Sequence, residues 1–329
     1  MASRDTLVKC VLTSQPIYHL TDSSVQKWLI KQIDRMRRSF LWKGEEPEKV
    51  SGGHCLVNWP TICTPKDLGG LGVLDLERLA RALRLRWYWY KWKNDDRPWA
   101  SLDNPCDATD RDLFNASTIV TVGRGDKTSF WHSSWTNGIA PKNIAPSLFS
   151  KAKRKNVKVF KALQNNTWVS HVCPLQTSEK IHEYVTLWEE IRLLLRDDGA
   201  KDEITWRWTA DGEYTASGAY RIQLKGRFKK ISITPVWRAK AEPKCKIFAW
   251  ILLHCKIVIA DNLKRRGWPH DPLCKLCNSA PETPTHLCKD CPYTCAVWTN
   301  VVRLLGLQQY YPVIQQAQFT DGGKGAKGF

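Results

Sequence analysis

Cys274-Lys-Leu-Cys277-Asn-Ser-Ala-Pro-Glu-Thr-Pro-Thr-His286-Leu-Cys288-Lys-Asp-Cys291 sets four metal-ligating side chains at short, fixed intervals. A Cys-x2-Cys pair on a tight turn, a His after eight intervening residues and a Cys after four more match the four ligands of a closed, tetrahedral Zn²⁺ site. Four protein ligands leave no position for a reactive water, so a site of this kind holds a shape and performs no chemistry. Cys288 or Cys295 could each replace Cys291 as fourth ligand. Zinc contributes ~10–16 kcal/mol to small modules, more than a loop-rich subdomain gains from its own core. Loss of any ligand is therefore expected to unfold this region.

Working outward, Pro243 suits the first turn of a helix carrying Ile247, Phe248, Trp250, Ile251, Leu252 and Cys255, apolar over most of its circumference and so expected to be buried. Asp261 is placed to cap a short helix, Asn262 to Arg266, which Gly267 and Pro269 end. Beyond Cys291, Trp298, Val301, Val302 and Leu305 predict a one-sided helix ending at Gly306. The metal is expected to clamp these two outer helices face to face, with Lys264, Arg265 and Arg266 beside it as nucleic-acid contacts.

The chain has 329 residues, 50 Lys and Arg against 32 Asp and Glu, and a formal charge of +18, a balance that favours polyanionic partners through counterion release. No stretch approaches the ~20 apolar residues of a membrane span, and Met1 to Leu20 lacks the pattern of an export signal. An intracellular protein, cytoplasmic or nuclear, without membrane or small-molecule partners is the expectation. Its twelve Cys then read as reduced thiols, a few of them metal ligands.

Two helices carry the remaining nucleic-acid signals. From about Ser24 to Trp42, periodicity places Val25, Trp28, Leu29, Ile33, Met36 and Phe40 inward and Lys27, Lys31, Arg35 and Arg38 on a basic outer ridge. From about Leu74 to Lys93, an apolar stripe of Leu76, Leu79, Ala80, Leu83 and Trp87 is interleaved with cations and rings. Arg81, Arg84, Arg86 and Trp89 are its candidate contacts, because cations that neutralise phosphates sit among rings able to stack on bases. Between these helices a short strand is expected near Leu56 to Trp59.

Further on, Val122-Gly-Arg-Gly-Asp126 reads as a compact turn leading to Phe130, Trp131 and Trp135, and Lys151 to Lys158 is a basic run. The Gly123-x-Gly125 turn lacks the third Gly and the Lys-Ser/Thr of a phosphate-cradling loop. Ser178 opens a helix to about Arg196 with Ile181, Val185, Trp188, Ile191, Leu194 and Leu195 inward. Ile204 to Trp208, Asp211-Gly212 and Tyr214 to Ala216 read as a β-hairpin, and Ser217 as the cap of a short helix.

In order, Phe40-Leu-Trp-Lys-Gly44, Pro65-Lys-Asp-Leu-Gly-Gly-Leu-Gly72, Phe130-Trp131, Ile204-x-Trp206, Ala219-Tyr220, Phe248-Ala-Trp250, Asp261-Asn-Leu263, Arg265-Arg-Gly-Trp268 and the Cys/His set span nearly the whole chain. Together they resemble the C-terminal region of plant LINE-type (non-LTR) retrotransposon reverse transcriptases, ending in the reverse-transcriptase zinc-binding domain. The resemblance implies Zn²⁺ on Cys274, Cys277, His286 and Cys291, with Glu282-Thr283 just before the His. The sequence departs from the family at Ala80, Tyr90, Ser133 and Cys288. It also lacks the paired carboxylates of a polymerase palm, since neither Asp95-Asp96 nor Asp197-Asp198 is flanked by strands.

The expected fold is mainly α with a small β-hairpin. It comprises a thumb-like helical region (1–95), a loop-rich connector (96–200), a hairpin with a small zinc-stabilised helical domain (201–306) and a disordered tail (307–329). The expected function is noncatalytic binding of a retroelement's RNA or DNA, the alternatives being a protein-interaction module, a decayed element fragment or, less favoured, an RNA-directed DNA polymerase.

Overall fold

The computed structural model describes residues 1–44, 55–93, 104–172, 176–194, 197, 199–226 and 233–310. Among the described residues the chain is mainly helical with one two-stranded antiparallel sheet. Its residues assort into two compact units that interleave along the chain, whereas the division read from sequence is linear.

The first unit comprises Met1–Gln15, Lys27–Asp75 and Arg227–Phe329. Its core joins Val8, Leu41, Val57, Ile62, Leu71 and Val73 to Ile247, Trp250, Ile251, Ile257 and Ile259, so the Pro243–Leu253 helix is packed by N-terminal segments. The buried Trp250 indole donates to the Gly69 carbonyl at 2.9 Å. That approach depends on the glycines. Gly69 sits at φ +91°, and a Cβ on Gly70 would fall 1.9 Å from the Thr64 carbonyl oxygen. Leu56 to Trp59 forms no strand, because Asn58 instead accepts the Thr61 N–H and caps the Trp59–Ile62 helix.

The Lys27–Trp42 helix turns a different face inward from the one its hydropathy predicts. Ile30, Arg37, Ser39 and Leu41 are buried, whereas Trp28, Leu29 and Met36 are 61%, 40% and 53% exposed. The cause is Arg37, fully buried and bonded to the Asp34 carboxylate at 2.7 Å, the Thr13 hydroxyl at 2.8 Å and the Leu74 carbonyl at 2.8 Å. A charge with this many partners is held in the interior, and the face around it follows.

The second unit comprises Pro16–Gln26 and Leu76–Gly226. Here the strand Glu203–Trp206 pairs with Thr118–Thr121, in the register Thr118 to Trp206 and Val120 to Ile204. The expected hairpin partner, Tyr214 to Ala216, is corrected accordingly. The chain does turn at Gly212 (φ +69°), whose carbonyl accepts the Trp206 N–H. It then enters the Ala216–Ile222 helix, capped by Thr215 and not Ser217. The Ser178–Arg192 helix buries Glu183 and Leu187 while Ile181 and Val185 are exposed. Glu183 accepts the Ser147 and Leu148 N–H groups at the start of another helix.

The Val122 to Thr128 loop owes its shape to Asp202. One carboxylate oxygen accepts the N–H groups of Gly123 and Gly125 at 2.9 and 2.7 Å. The other accepts from Lys127 N, Thr128 N and Thr128 Oγ1 at 3.1, 3.0 and 2.7 Å. A nest of backbone donors that would suit an anion is thus filled by the chain's own carboxylate. Burial opposes its ionisation, but the Thr128 hydroxyl and the N–H groups of Gly125, Thr128 and Gly123 outweigh that and hold the pKa below its ordinary value.

Candidate metal centre and basic surfaces

Short backbone bonds set the ligands. Cys274 N donates to Ala280 O and Asn278 N to Cys274 O, both at 2.8 Å, with Asn278 at φ +49° closing the turn that carries Cys277. Leu273 and Pro281 bridge beneath it. The Thr283 hydroxyl accepts the His286 N–H at 3.1 Å, and the π-helical turn His286–Asp290 ends with Cys291 N on His286 O at 2.8 Å. Cys291 then begins the Pro292–Leu304 helix.

The ligand atoms of Cys274, Cys277, His286 and Cys291 all lie within 4.8 Å of one another, with Cys277 Sγ 3.3 Å from His286 Nε2. Tetrahedral zinc at ~2.3 Å from each sulfur spaces its ligands about 3.8 Å apart, so these four side chains fit the ion. Cys291 is the fourth ligand of the cluster, while Cys295 donates its thiol to the Lys289 carbonyl at 3.0 Å. The hydroxyl and N–H of Ser279 lower the Cys277 thiol to about 6, favouring the thiolate that binds metal, whereas burial pushes Cys274 up.

Glu282 ties this loop to its neighbour by accepting the Ala260 N–H at 2.8 Å, at the start of the Ala260–Arg265 helix. The expected cap, Asp261, pairs instead with Arg265 at 2.9 Å. Buried Asn262 donates to the Cys255 and Ile257 carbonyls at 2.9 and 2.8 Å, fixing the turn that leads from the Pro243–Leu253 helix. The expected clamp between outer helices is corrected too. Pro292–Leu304 packs chiefly on the His286–Asp290 turn, with Trp298 donating to Cys288 O at 3.0 Å, and Val302 is its one buried residue among those described. Phe248 is likewise exposed, at 57%.

The candidate nucleic-acid residues separate into two groups. Lys27, Lys31, Arg35, Lys264 and Arg265 are exposed. Arg38 lies over the Trp59 ring, Arg86 over Trp87, and Arg266 both over Trp268 and against Cys55 O. Arg84 and Trp89 are buried and are withdrawn as contacts. Arg84 makes a two-pronged pair with buried Asp110 at 2.7 and 3.1 Å, and Arg81 leans on the same carboxylate at 3.4 Å. Trp89 packs against Trp206 and Tyr214. No helix among the described residues is long and apolar enough to cross a membrane.

Residues 214–298 match the family described as zinc-binding in reverse transcriptase. The chain is also 24% identical over 336 residues to an Arabidopsis thaliana protein named "Putative ribonuclease H protein". That alignment takes in 92% of this chain and 52% of the relative, so the chain spans about half the relative's length. No solved structure matches significantly. The four clustered ligands all fall within the matched region, whose family supplies the metal's identity as zinc.

Proposed function

We propose that this chain is a noncatalytic, zinc-stabilised nucleic-acid-binding segment of a LINE-type retroelement reverse transcriptase. The observation that carries the reading is a closed Cys3His cluster inside a region similar to reverse-transcriptase zinc-binding domains, on a chain of charge +18. Zinc with four protein ligands organises the loop and offers no site for hydrolysis or group transfer. The cations of the exposed helical faces then neutralise phosphates of template RNA or target DNA.

Zinc-loaded protein should retard RNA and DNA in a gel, with log affinity falling against log salt by about 0.7–0.9 for each phosphate neutralised. Absent or salt-independent retardation refutes the reading. With Mg²⁺, neither primer extension nor cleavage of an RNA–DNA hybrid is expected, and either activity would overturn the noncatalytic assignment. A protein-interaction role is favoured by one observation, the apolar side chains Val297, Leu304 and Leu305 exposed on and just after the last helix. Binding of a protein partner without nucleic-acid binding would establish that alternative.

A further inference from the structure

We propose that the outward face of the Lys27–Trp42 helix is a landing surface for an unpaired nucleic-acid strand, its bases against Trp28 and Met36 and its phosphates on Lys31 and Arg35. This deepens the nucleic-acid-binding reading and rests on it. The face exists because buried Arg37 turns the helix. With Ile30, Arg37 and Leu41 inward, three of the side chains that hydropathy assigns to the core stand in solvent, Trp28 at 61%, Met36 at 53% and Leu29 at 40% exposure.

Helical geometry orders what is exposed. Around the side opposite Arg37, Lys31, Arg35, Trp28, Gln32, Met36 and Leu29 follow one another in that order, and all six are exposed. A cationic edge and an apolar edge therefore lie side by side on one surface. Lys31 and Arg35 stand one turn apart, about 6 Å along the axis. Neither makes a hydrogen bond or an ion pair among the described residues. The single acid of the helix, Asp34, is held by Arg37 at 2.7 Å on the inward side, so no carboxylate of the helix cancels this edge.

Each edge answers one part of a nucleotide. The cations meet phosphates, and an indole with most of its surface in solvent stacks on any unpaired base, since every base has a π-face. Met36 is unbranched and polarisable, so it conforms to rings of different outline. Gln32 lies between Trp28 and Met36, and its amide both donates and accepts, as base edges do. A seam for a partner helix would carry an apolar side chain at that central position, so Gln32 favours a nucleic acid over a protein helix. A duplex would have to be unstacked before it admitted Trp28, whereas an unpaired strand offers its base faces at once.

Fluorescence anisotropy on the zinc-loaded full chain tests this with a labelled single-stranded oligonucleotide, an abasic strand of the same length and the corresponding duplex, beside sedimentation with phosphatidylserine vesicles. Trp28→Ala should weaken the single strand about tenfold and leave the abasic strand unchanged, with Trp28→Phe recovering part of the loss. Met36→Ala, which keeps the indole in place, should weaken the single strand about threefold. Lys31→Ala and Arg35→Ala should weaken both strands. Equal affinity for the single and abasic strands would overturn the proposal, as would a duplex that binds more tightly than the single strand. Vesicle binding that Trp28→Ala abolishes while oligonucleotide binding persists unchanged would assign the face to lipid and overturn it too. Indifference of the single strand to both Trp28→Ala and Met36→Ala refutes this face and leaves the wider reading standing. Failure of every nucleic acid to bind refutes the wider reading and the face with it. A loss confined to the base-bearing strand supports the face.

Discussion

Replacing Asp202 by Asn should destabilise the second unit and displace Lys127. The carboxylate accepts five hydrogen bonds, two at one oxygen and three at the other. An amide offers one oxygen, so in either orientation its NH2 group faces at least two backbone N–H donors. A buried donor left unsatisfied costs ~1–3 kcal/mol, which puts the expected loss at about 3 kcal/mol, a large part of the ~5–15 kcal/mol that stabilises a domain. The pH dependence has a definite sign. Because the folded-state pKa lies below its ordinary 3.8, the carboxylate's contribution is complete above that value and is lost as pH falls through the folded-state pKa. The gap between wild type and Asp202→Asn should therefore be widest near neutrality and shrink in acid. Urea unfolding followed by Trp fluorescence reads the gap, and amide exchange at Gly125 and Thr128 locates it. Equal midpoints and equal exchange would refute the assignment of the loop's shape to Asp202. A gap that persists unchanged in acid would refute the part assigned to charge.

Four other substitutions separate structural from surface roles. Arg84→Ala breaks the buried pair with Asp110 and should cost ~3–5 kcal/mol, whereas Arg86→Ala should stay within ~1 kcal/mol; a reversed order in thermal melts would invalidate the burial argument. Glu282→Ala removes the acceptor of the Ala260 N–H and should cost ~1 kcal/mol, read as faster exchange at Ala260 with zinc still bound. Cys277→Ser, or chelation of the metal, should collapse the fold around residues 274–291, and unchanged proteolysis of that segment with and without zinc would count against a structural ion.

The metal ligands were legible because Cys and His at short spacing have few other uses, and Zn²⁺ geometry restricts what those spacings can do. Spacing alone did not make the choice of Cys291 over Cys288 and Cys295, which the family resemblance supplied. That choice depends on the π-helical turn that brings Cys291 N onto His286 O. Helix positions were mostly readable but faces only in part: Leu76, Leu79 and Ala80, and Ile247, Trp250 and Ile251, are buried as read, whereas other faces are turned. Hydropathy assumes that charge points outward, whereas Arg37, Arg84 and Glu183 each point inward to dedicated partners and carry their faces with them. The strand partner of Glu203–Trp206 was hidden for a related reason. Asp211-Gly212 makes a sound local turn, but burying Trp206 and Ile204 against Thr118 and Val120 decides the pairing.

These buried charges change what a net charge of +18 means for binding. An arginine paired with an interior carboxylate cannot be lent to a phosphate without opening the core, so Arg37 and Arg84 add to the total and not to the binding surface. The exposed candidates Lys27, Lys31, Arg35, Lys264 and Arg265 are the ones that a strand can reach. Each that neutralises a phosphate of a single strand contributes about −0.7 to the salt slope. Replacing Lys31 by Ala should then lower that slope by about 0.7, with the melting temperature unchanged. A slope that Lys31→Ala leaves unaltered would show that this helix face does not touch the strand.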